Sequence, residues 1–367
     1  MQNTFKTSIH STNHSNSLST IQDTIQTLKQ QGNFLSLSRT QPSLFTASFQ
    51  FFIGAHTQVN VLAEGIISFE TIAKNDKDIV LSCGIHGNET APIEICDDLV
   101  KNILLGKIMV KQRVLFLFGN LPAMDVAQRF IDENMNRLFS GEHQNLATGQ
   151  QMNDERHRAK QLEDVVKNFY LGIDSKQDRT RLHYDLHTAI RTSKNDKFAV
   201  YPFQNGKAWN KHQLQILLAC GVNTILLSGS PTTTFSYYSV NECNAHAFTV
   251  ELGKVMPFGQ NNMDDFSDVV ATLTQLICAK ELQLKNYTDS DFLIYEVNQV
   301  INKQQDDFVL NFAADAANFS DFPKDHLLAF ETGCEYRAQY EGEAIVFPNA
   351  DVEIGQRALL TLIPTNI

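Results

Sequence analysis

Through the middle of the chain, short and almost unbroken apolar runs alternate with stretches whose apolar residues recur at helical spacing. Asp78 to Cys83 (DIVLSC) is the first such run and has the form of a strand buried on both faces. It ends in Gly84-Ile85-His86-Gly87-Asn88-Glu89-Thr90, and the spacing then predicts a helix from about Ala91 to Leu105. Arg113 to Phe118 (RVLFLF) reads as a second buried strand, and Asp154 to Tyr170 as a long polar helix. Leu182 to Leu186 then leads into His187, a helix around Lys211 to Cys220 precedes a strand at Thr224 to Leu227, and Ala247 to Val250 leads into Glu251. Strands alternating with helices in this way predict an α/β fold with a mainly parallel or mixed sheet flanked by helices.

The ends of the chain have a different texture. Residues 1–42 form a polar extension in which Ser17 to Gln31 has the pattern of an amphipathic helix, and Ser43 to Val61 alternates apolar and polar positions as half-buried strands do. After a last helix, about Met263 to Gln283, the runs Phe292–Val300, Phe308–Phe312 and Glu343–Phe347 read as strands with no helices between them. A boundary is therefore expected near Leu284, with one large domain at 1–284 and a smaller β-rich domain at 285–367.

The unusual polar residues cluster where the apolar strands end. His86 and Glu89 follow one strand, His187 ends another and Glu251 a third. Open α/β sheets bind their ligands at that edge, where the loops converge on a crevice. A catalytic zinc takes three protein ligands and keeps one position open; two His and one Glu form such a set. His86, Glu89 and His187 are thus the candidate ligands of one Zn²⁺ per chain. Zinc lowers the pKa of a bound water to about 7. Glu251, outside the ligand set, is the candidate base that takes the water's proton and hands it to the leaving amine. Alone, an H-x-x-E turn is a common surface pattern, His187 a common core histidine and Glu251 a common cap or ion-pair partner; the case is their joint placement. His183 lies four residues before His187, but Tyr184 stands where a zincin motif has Glu, so His183 reads as structural.

Composition narrows the class. With 30 basic and 41 acidic residues the formal charge is −11, which disfavours nucleic acid as a partner. The six cysteines form no C-x-x-C pair, so a disulfide framework is not expected. No run approaches the roughly 18 apolar residues of a membrane span, and the N-terminus lacks a signal-peptide core, so a cytoplasmic protein is expected. Against that acidic background, Arg129 and Arg137 flank a polar loop, and Arg191 follows His187. Arginine suits bidentate recognition of carboxylates, although nearby Asp132 and Glu133 could equally balance the loop's charge.

The segments GIHGNETAPIE (Gly84–Glu94), GNLPAM (Gly119–Met124), NRLFSG (Asn136–Gly141), DLHTAIR (Asp185–Arg191) and FTVELGKV (Phe248–Val255), in this order, resemble the succinylglutamate desuccinylases. These belong to the aspartoacylase branch of the zinc carboxypeptidase superfamily. The resemblance spans about Asp78 to Gly259, and its specificity lies in the whole set of segments. It implies a zinc-carboxypeptidase-like fold and one zinc on His86, Glu89 and His187. Glu251 is then the general base, and Arg129, Asn136 and Arg137 grip a substrate carboxylate and polarise the scissile carbonyl. Asn134 and Asp185 fall where partners of the ligating histidines stand. The implied reaction is hydrolysis of N2-succinylglutamate to succinate and glutamate, the last step of arginine breakdown by the succinyltransferase route.

Two departures bear on this reading. The family pattern before Asn-Arg is Asp-Leu, and here it is Asn134-Met135. An amide oxygen accepts a bond from an imidazole without the charge that raises ligand basicity, so weaker metal retention is expected. Ser236 to Ala245 lacks an arginine expected near the substrate carboxylates. Another N-acyl acidic amino acid as substrate, an exopeptidase, or an inactive zinc-binding metabolite sensor are the competing expectations.

Overall fold

The computed structural model describes residues 10–172 and 179–367. Its helices are α1 (His10–Gln31), α2 (Phe34–Thr40), α3 (Thr90–Leu104), α4 (Leu121–Asp125), α5 (Asp154–Leu171), α6 (Lys211–Ala219), α7 (Phe235–Cys243) and α8 (Ser267–Cys278). The N-terminal part contributes strands β1 (Phe49–Ile53), β2 (Thr57–Ala63), β3 (Ile66–Thr71), β4 (Lys77–Cys83), β5 (Arg113–Phe118), β6 (Thr180–Ala189), β7 (Phe198–Tyr201), β8 (Thr224–Leu227) and β9 (His246–Lys254). The C-terminal part adds β10 (Leu293–Asn302), β11 (Val309–Leu310), β12 (Asp321–Phe322), β13 (Leu327–Glu331), β14 (Cys334–Arg337), β15 (Glu343–Val346) and β16 (Arg357–Pro364).

One mixed sheet runs in the order β1-β2-β3-β5-β4-β6-β9-β7-β8-β10-β16-β15-β12, and β11-β13-β14 form a second, small sheet. The centre is parallel: β5, β4, β6 and β9 pair side by side in the same direction. β4 and β5 are buried at nearly every position, because α1–α3 cover one face and α5 and α7 the other. Their apolar runs need no alternation, which is why both strands were legible.

The C-terminal domain is β-rich, as its turn-punctuated sequence implied, and its core is separate, around Ile301, Leu328, Ile345 and Leu359. The parallel pairing of β8 with β10 carries the main sheet into it. Several elements depart from expectation. The alternation from Ser43 begins with a 3-10 turn at Pro42–Phe45, where Pro42 fixes φ at the first helical position. The helix expected from Met263 to Gln283 is a 3-10 turn at Met263–Phe266 followed by α8, which stops at Cys278. β6 and β9 continue through His187 and Glu251, which therefore project from strands rather than from the loops beyond them. Among the described residues no helix is long and apolar enough to cross a membrane.

Candidate metal centre

The H-x-x-E turn is shaped by its glycines. Gly84 has φ +63°, a conformation that Cβ-bearing residues rarely adopt. A Cβ at Gly87 would meet the Ala123 carbonyl carbon at 2.2 Å, so only glycine lets the turn pass against α4. The turn closes with Glu89 N–H donating to the His86 carbonyl at 3.3 Å. Glu89 occupies the N-cap position of α3, yet its side chain makes no capping bond. The carboxylate turns instead toward the sheet edge, where His187 lies.

On β6 the period of two places His183, Asp185 and His187 on one face. Strand register does the rest. Ser82 of β4 stands opposite Asp185, and Glu251 of β9 stands opposite His187. Side chains from four segments thereby converge, and His86, Glu89 and His187 are each 2% exposed. Their donor atoms all lie within 4.8 Å of one another, and the two imidazole rings are 5.2 Å apart.

The hydrogen bonds decide which imidazole nitrogen faces inward. His86 Nε2 lies 2.9 Å from Asn134 Oδ1, and His187 Nε2 lies 2.9 Å from Asp185 Oδ2. Asn134 Oδ1 also accepts the Asn136 backbone N–H at 3.1 Å, which identifies that atom as the oxygen. His86 must then donate from Nε2, leaving the Nδ1 lone pair free in the neutral ring. That Nδ1 is buried, has no hydrogen-bond partner and sits 2.8 Å from Glu89 Oε1. Glu89 Oε2 lies 2.9 Å from His187 Nδ1. A lone pair and a carboxylate oxygen facing each other in a dry site repel unless a cation stands between them. Two imidazole nitrogens and a carboxylate oxygen form a donor set that suits zinc, and several other divalent ions as well.

Charges reinforce the arrangement. Burial, together with the Arg129 and His187 charges, pushes His86 down to about 4 against the pull of Glu89, so the ring stays neutral. Burial would raise the Glu89 carboxyl, but His86 and His187 hold it well below its ordinary value. Burial would lower His187; Asp185 and Glu89 overcome it and hold the ring well above its ordinary value. Glu251 is 7% exposed and its Oε2 is buried without a hydrogen-bond partner. Burial, then the nearby charge of Glu89, pushes its carboxyl up to about 7.

Behind these residues runs a buried hydrogen-bonded chain. Ser239 Oγ meets His183 Nδ1 at 2.7 Å, His183 Nε2 meets Ser82 Oγ at 2.7 Å, and Ser82 Oγ donates to Asp185 Oδ1 at 2.5 Å. His183 is fully buried, is pushed down to about 4 by burial, and packs edge-on against Phe235 at 4.7 Å. It therefore steadies the partner of His187 from behind.

The expected substrate residues separate into two groups. Arg129 Nη1 donates to Glu89 Oε1 at 2.6 Å, which puts this guanidinium beside the candidate ligands. Asn136 is buried and its Oδ1 accepts the Phe235 backbone N–H at 3.1 Å, tying the loop to α7. Arg137 Nη1 donates to its neighbour's carbonyl, Asn136 O, at 2.9 Å. Arg191 goes elsewhere. The strand ends at Ala189, and Arg191 donates from Nε to the Pro348 carbonyl at 2.9 Å and from Nη1 to the carbonyls of Ala314 and Ala316. These contacts fasten the C-terminal domain, and none of them is to a candidate ligand.

One contributor was missed. Glu155 of α5 accepts the backbone N–H groups of Ile131 (2.6 Å), Asp132 (3.1 Å) and Glu133 (3.3 Å), and so shapes the loop between Arg129 and Arg137. In sequence it is one carboxylate on a polar helix, with nothing to mark its partners.

An α/β sheet that carries such a donor set beside a spare carboxylate is the arrangement expected of a metal-assisted hydrolase. Comparison with known proteins narrows that class. Residues 75–277 match the succinylglutamate desuccinylase/aspartoacylase catalytic domain, and residues 290–365 match the barrel-sandwich hybrid domain of the same family. A succinylglutamate desuccinylase of Pseudoalteromonas atlantica is 59% identical over 94% of this chain and 97% of its own. One from a Shewanella species is 50% identical over 93% and 98%. Among solved structures, the succinylglutamate desuccinylase of Chromobacterium violaceum superposes with a TM-score of 0.80 at 33% identity, covering 91% of this chain and 98% of that one. Murine aminoacylase 3 shares the fold alone, with a TM-score of 0.54 at 15% identity over 80% of this chain and 97% of its own. The chain belongs to the succinylglutamate desuccinylase/aspartoacylase family.

Proposed function

We propose that this chain is a zinc-dependent amidohydrolase that cleaves N2-succinylglutamate to succinate and glutamate. The observation that carries the reading is the buried cluster of His86, Glu89 and His187 with Glu251 in register beside it, in a chain most of whose length aligns with desuccinylases. In this reading one zinc is held by His86 Nδ1, His187 Nδ1 and the Glu89 carboxylate. When bound, the cation supplies Lewis-acid polarisation of the scissile carbonyl and of the attacking water. Glu251 takes the water's proton and returns it to the nitrogen of the leaving glutamate. Its raised pKa suits a group that must both accept and release a proton near neutrality. Arg129 holds Glu89 and faces the substrate, and Asn136 and Arg137 stand on the loop organised by Glu155. The hydrolase unit ends near Leu284, and the smaller β-rich domain follows from 285 to 367.

The substrate assignment is tested by comparing kcat/KM on N2-succinylglutamate and N-acetylaspartate. At least tenfold preference for the succinyl substrate is expected. A preference for the acetyl donor would make the chain a different deacylase of the same family.

Asn134 carries a separate prediction. Its Oδ1 accepts from both His86 Nε2 and the Asn136 N–H, so the geometry for a carboxylate already exists. Asn134→Asp is expected to raise metal affinity by about 10- to 100-fold, read by competition with a chelating dye. An unchanged affinity would show that the missing charge does not matter here.

A further inference from the structure

Arg357 opens β16, in the C-terminal domain, 106 residues beyond Glu251 in the chain. Its Nε is buried without a hydrogen-bond partner, and its guanidinium lies over the ring of Phe347, 5.4 Å from the centroid. Among the described residues it makes no ion pair. Arg137 likewise makes no ion pair among the described residues: its one hydrogen bond goes to the adjacent backbone carbonyl. Every other arginine of the chain reaches a carboxylate or, for Arg181 and Arg191, backbone carbonyls.

Phe347 in turn packs against Phe198, with ring centroids 5.7 Å apart, and Phe198 stands opposite Glu251 across β7 and β9, so Arg357 lies on the side of the sheet that carries the candidate base. Burial and then the charge of Arg137 push Arg357 down to about 9, while burial and then the charge of Arg129 push Arg137 down to about 10. A chain with 41 acidic residues has carboxylates enough to neutralise them, yet none is placed there. Arg137 is nevertheless exposed at the surface and Arg357 half-buried, and with no carboxylate on either among the described residues, both guanidiniums are free to meet an entering anion. Arg357 feels the charge of Arg137, Arg137 that of Arg129, and Arg129 is bonded to the candidate ligand Glu89.

We infer that Arg357 is a specificity-determining residue that, with Arg137, forms a binding subsite for a carboxylate of the substrate. The inference deepens the hydrolase reading and rests on it. Phe347 holds the guanidinium by its face, leaving the edge with its N–H donors for the anion. The C-terminal domain thereby supplies a substrate contact. It also supplies an arginine for substrate carboxylates that the segment Ser236–Ala245 lacks.

The experiment uses the full-length, metal-loaded enzyme and its Arg357→Gln and Arg357→Lys variants, with metal content and circular dichroism as controls. Kinetics are measured on N2-succinylglutamate and on three analogues that each lack one carboxylate: N-acetylglutamate, N-succinylglutamine and N-succinyl-4-aminobutyrate. Arg357→Gln is expected to lower kcat/KM on N2-succinylglutamate about ten- to hundredfold, mostly through KM, with partial recovery in Arg357→Lys. On one analogue that penalty is expected to vanish, which identifies the carboxylate held. An equal penalty on all four substrates, or none on any, overturns the inference. If the unmodified enzyme does not hydrolyse N2-succinylglutamate, the substrate reading fails separately. Titration calorimetry of succinate and of glutamate then decides the subsite: weaker binding of either to Arg357→Gln supports it, and unchanged binding of both overturns it.

Discussion

Replacing Glu251 with Gln is expected to lower kcat by about 10²- to 10⁴-fold while leaving bound metal unchanged. The side chain is buried at the strand position opposite His187, and its free Oε2 has no competing hydrogen bond. An amide preserves size and burial but cannot accept a proton, so the substitution isolates proton transfer from packing. KM should change little, because Glu251 is not assigned a contact with the substrate's carboxylates. Turnover close to that of the unmodified enzyme would remove Glu251 from the chemistry. No turnover in the unmodified enzyme, with metal present, would favour a metabolite-sensing protein.

The second large effect is expected at His187. In His187→Gln the side-chain amide can still donate to Asp185, but the Nδ1 donor aimed at Glu89 is gone. Metal should dissociate during purification, and kcat/KM should fall by more than the roughly 10- to 100-fold typical of losing an outer partner. Elemental analysis and turnover are read on the same sample. Full metal content in this variant would mean that the imidazole is not a ligand.

What could be read from the sequence follows from which forces leave local marks. β4 and β5 are buried on both faces, so their apolar runs mark them without ambiguity. The H-x-x-E turn was visible because its glycines and its two donors are adjacent in the chain. The reach of β6 and β9 through His187 and Glu251 was underestimated, since an apolar run stops where polar side chains begin. There the polar groups of one strand are satisfied by those of its neighbours, such as Ser82 by Asp185. Arg191 shows the converse. Its proximity in sequence to His187 says nothing once the strand ends and the chain turns toward the C-terminal carbonyls. Glu155 left no local mark, because what defines it is a contact with a distant loop that only the folded chain creates.

The central claim is that three side chains distant in sequence hold one catalytic cation. The most direct test measures metal per chain in the purified protein alongside hydrolysis of N2-succinylglutamate, before chelation, after it and after zinc is restored. About one zinc per chain is expected, with activity lost on chelation and recovered on restoration. Undiminished hydrolysis by protein verified as metal-free would contradict it.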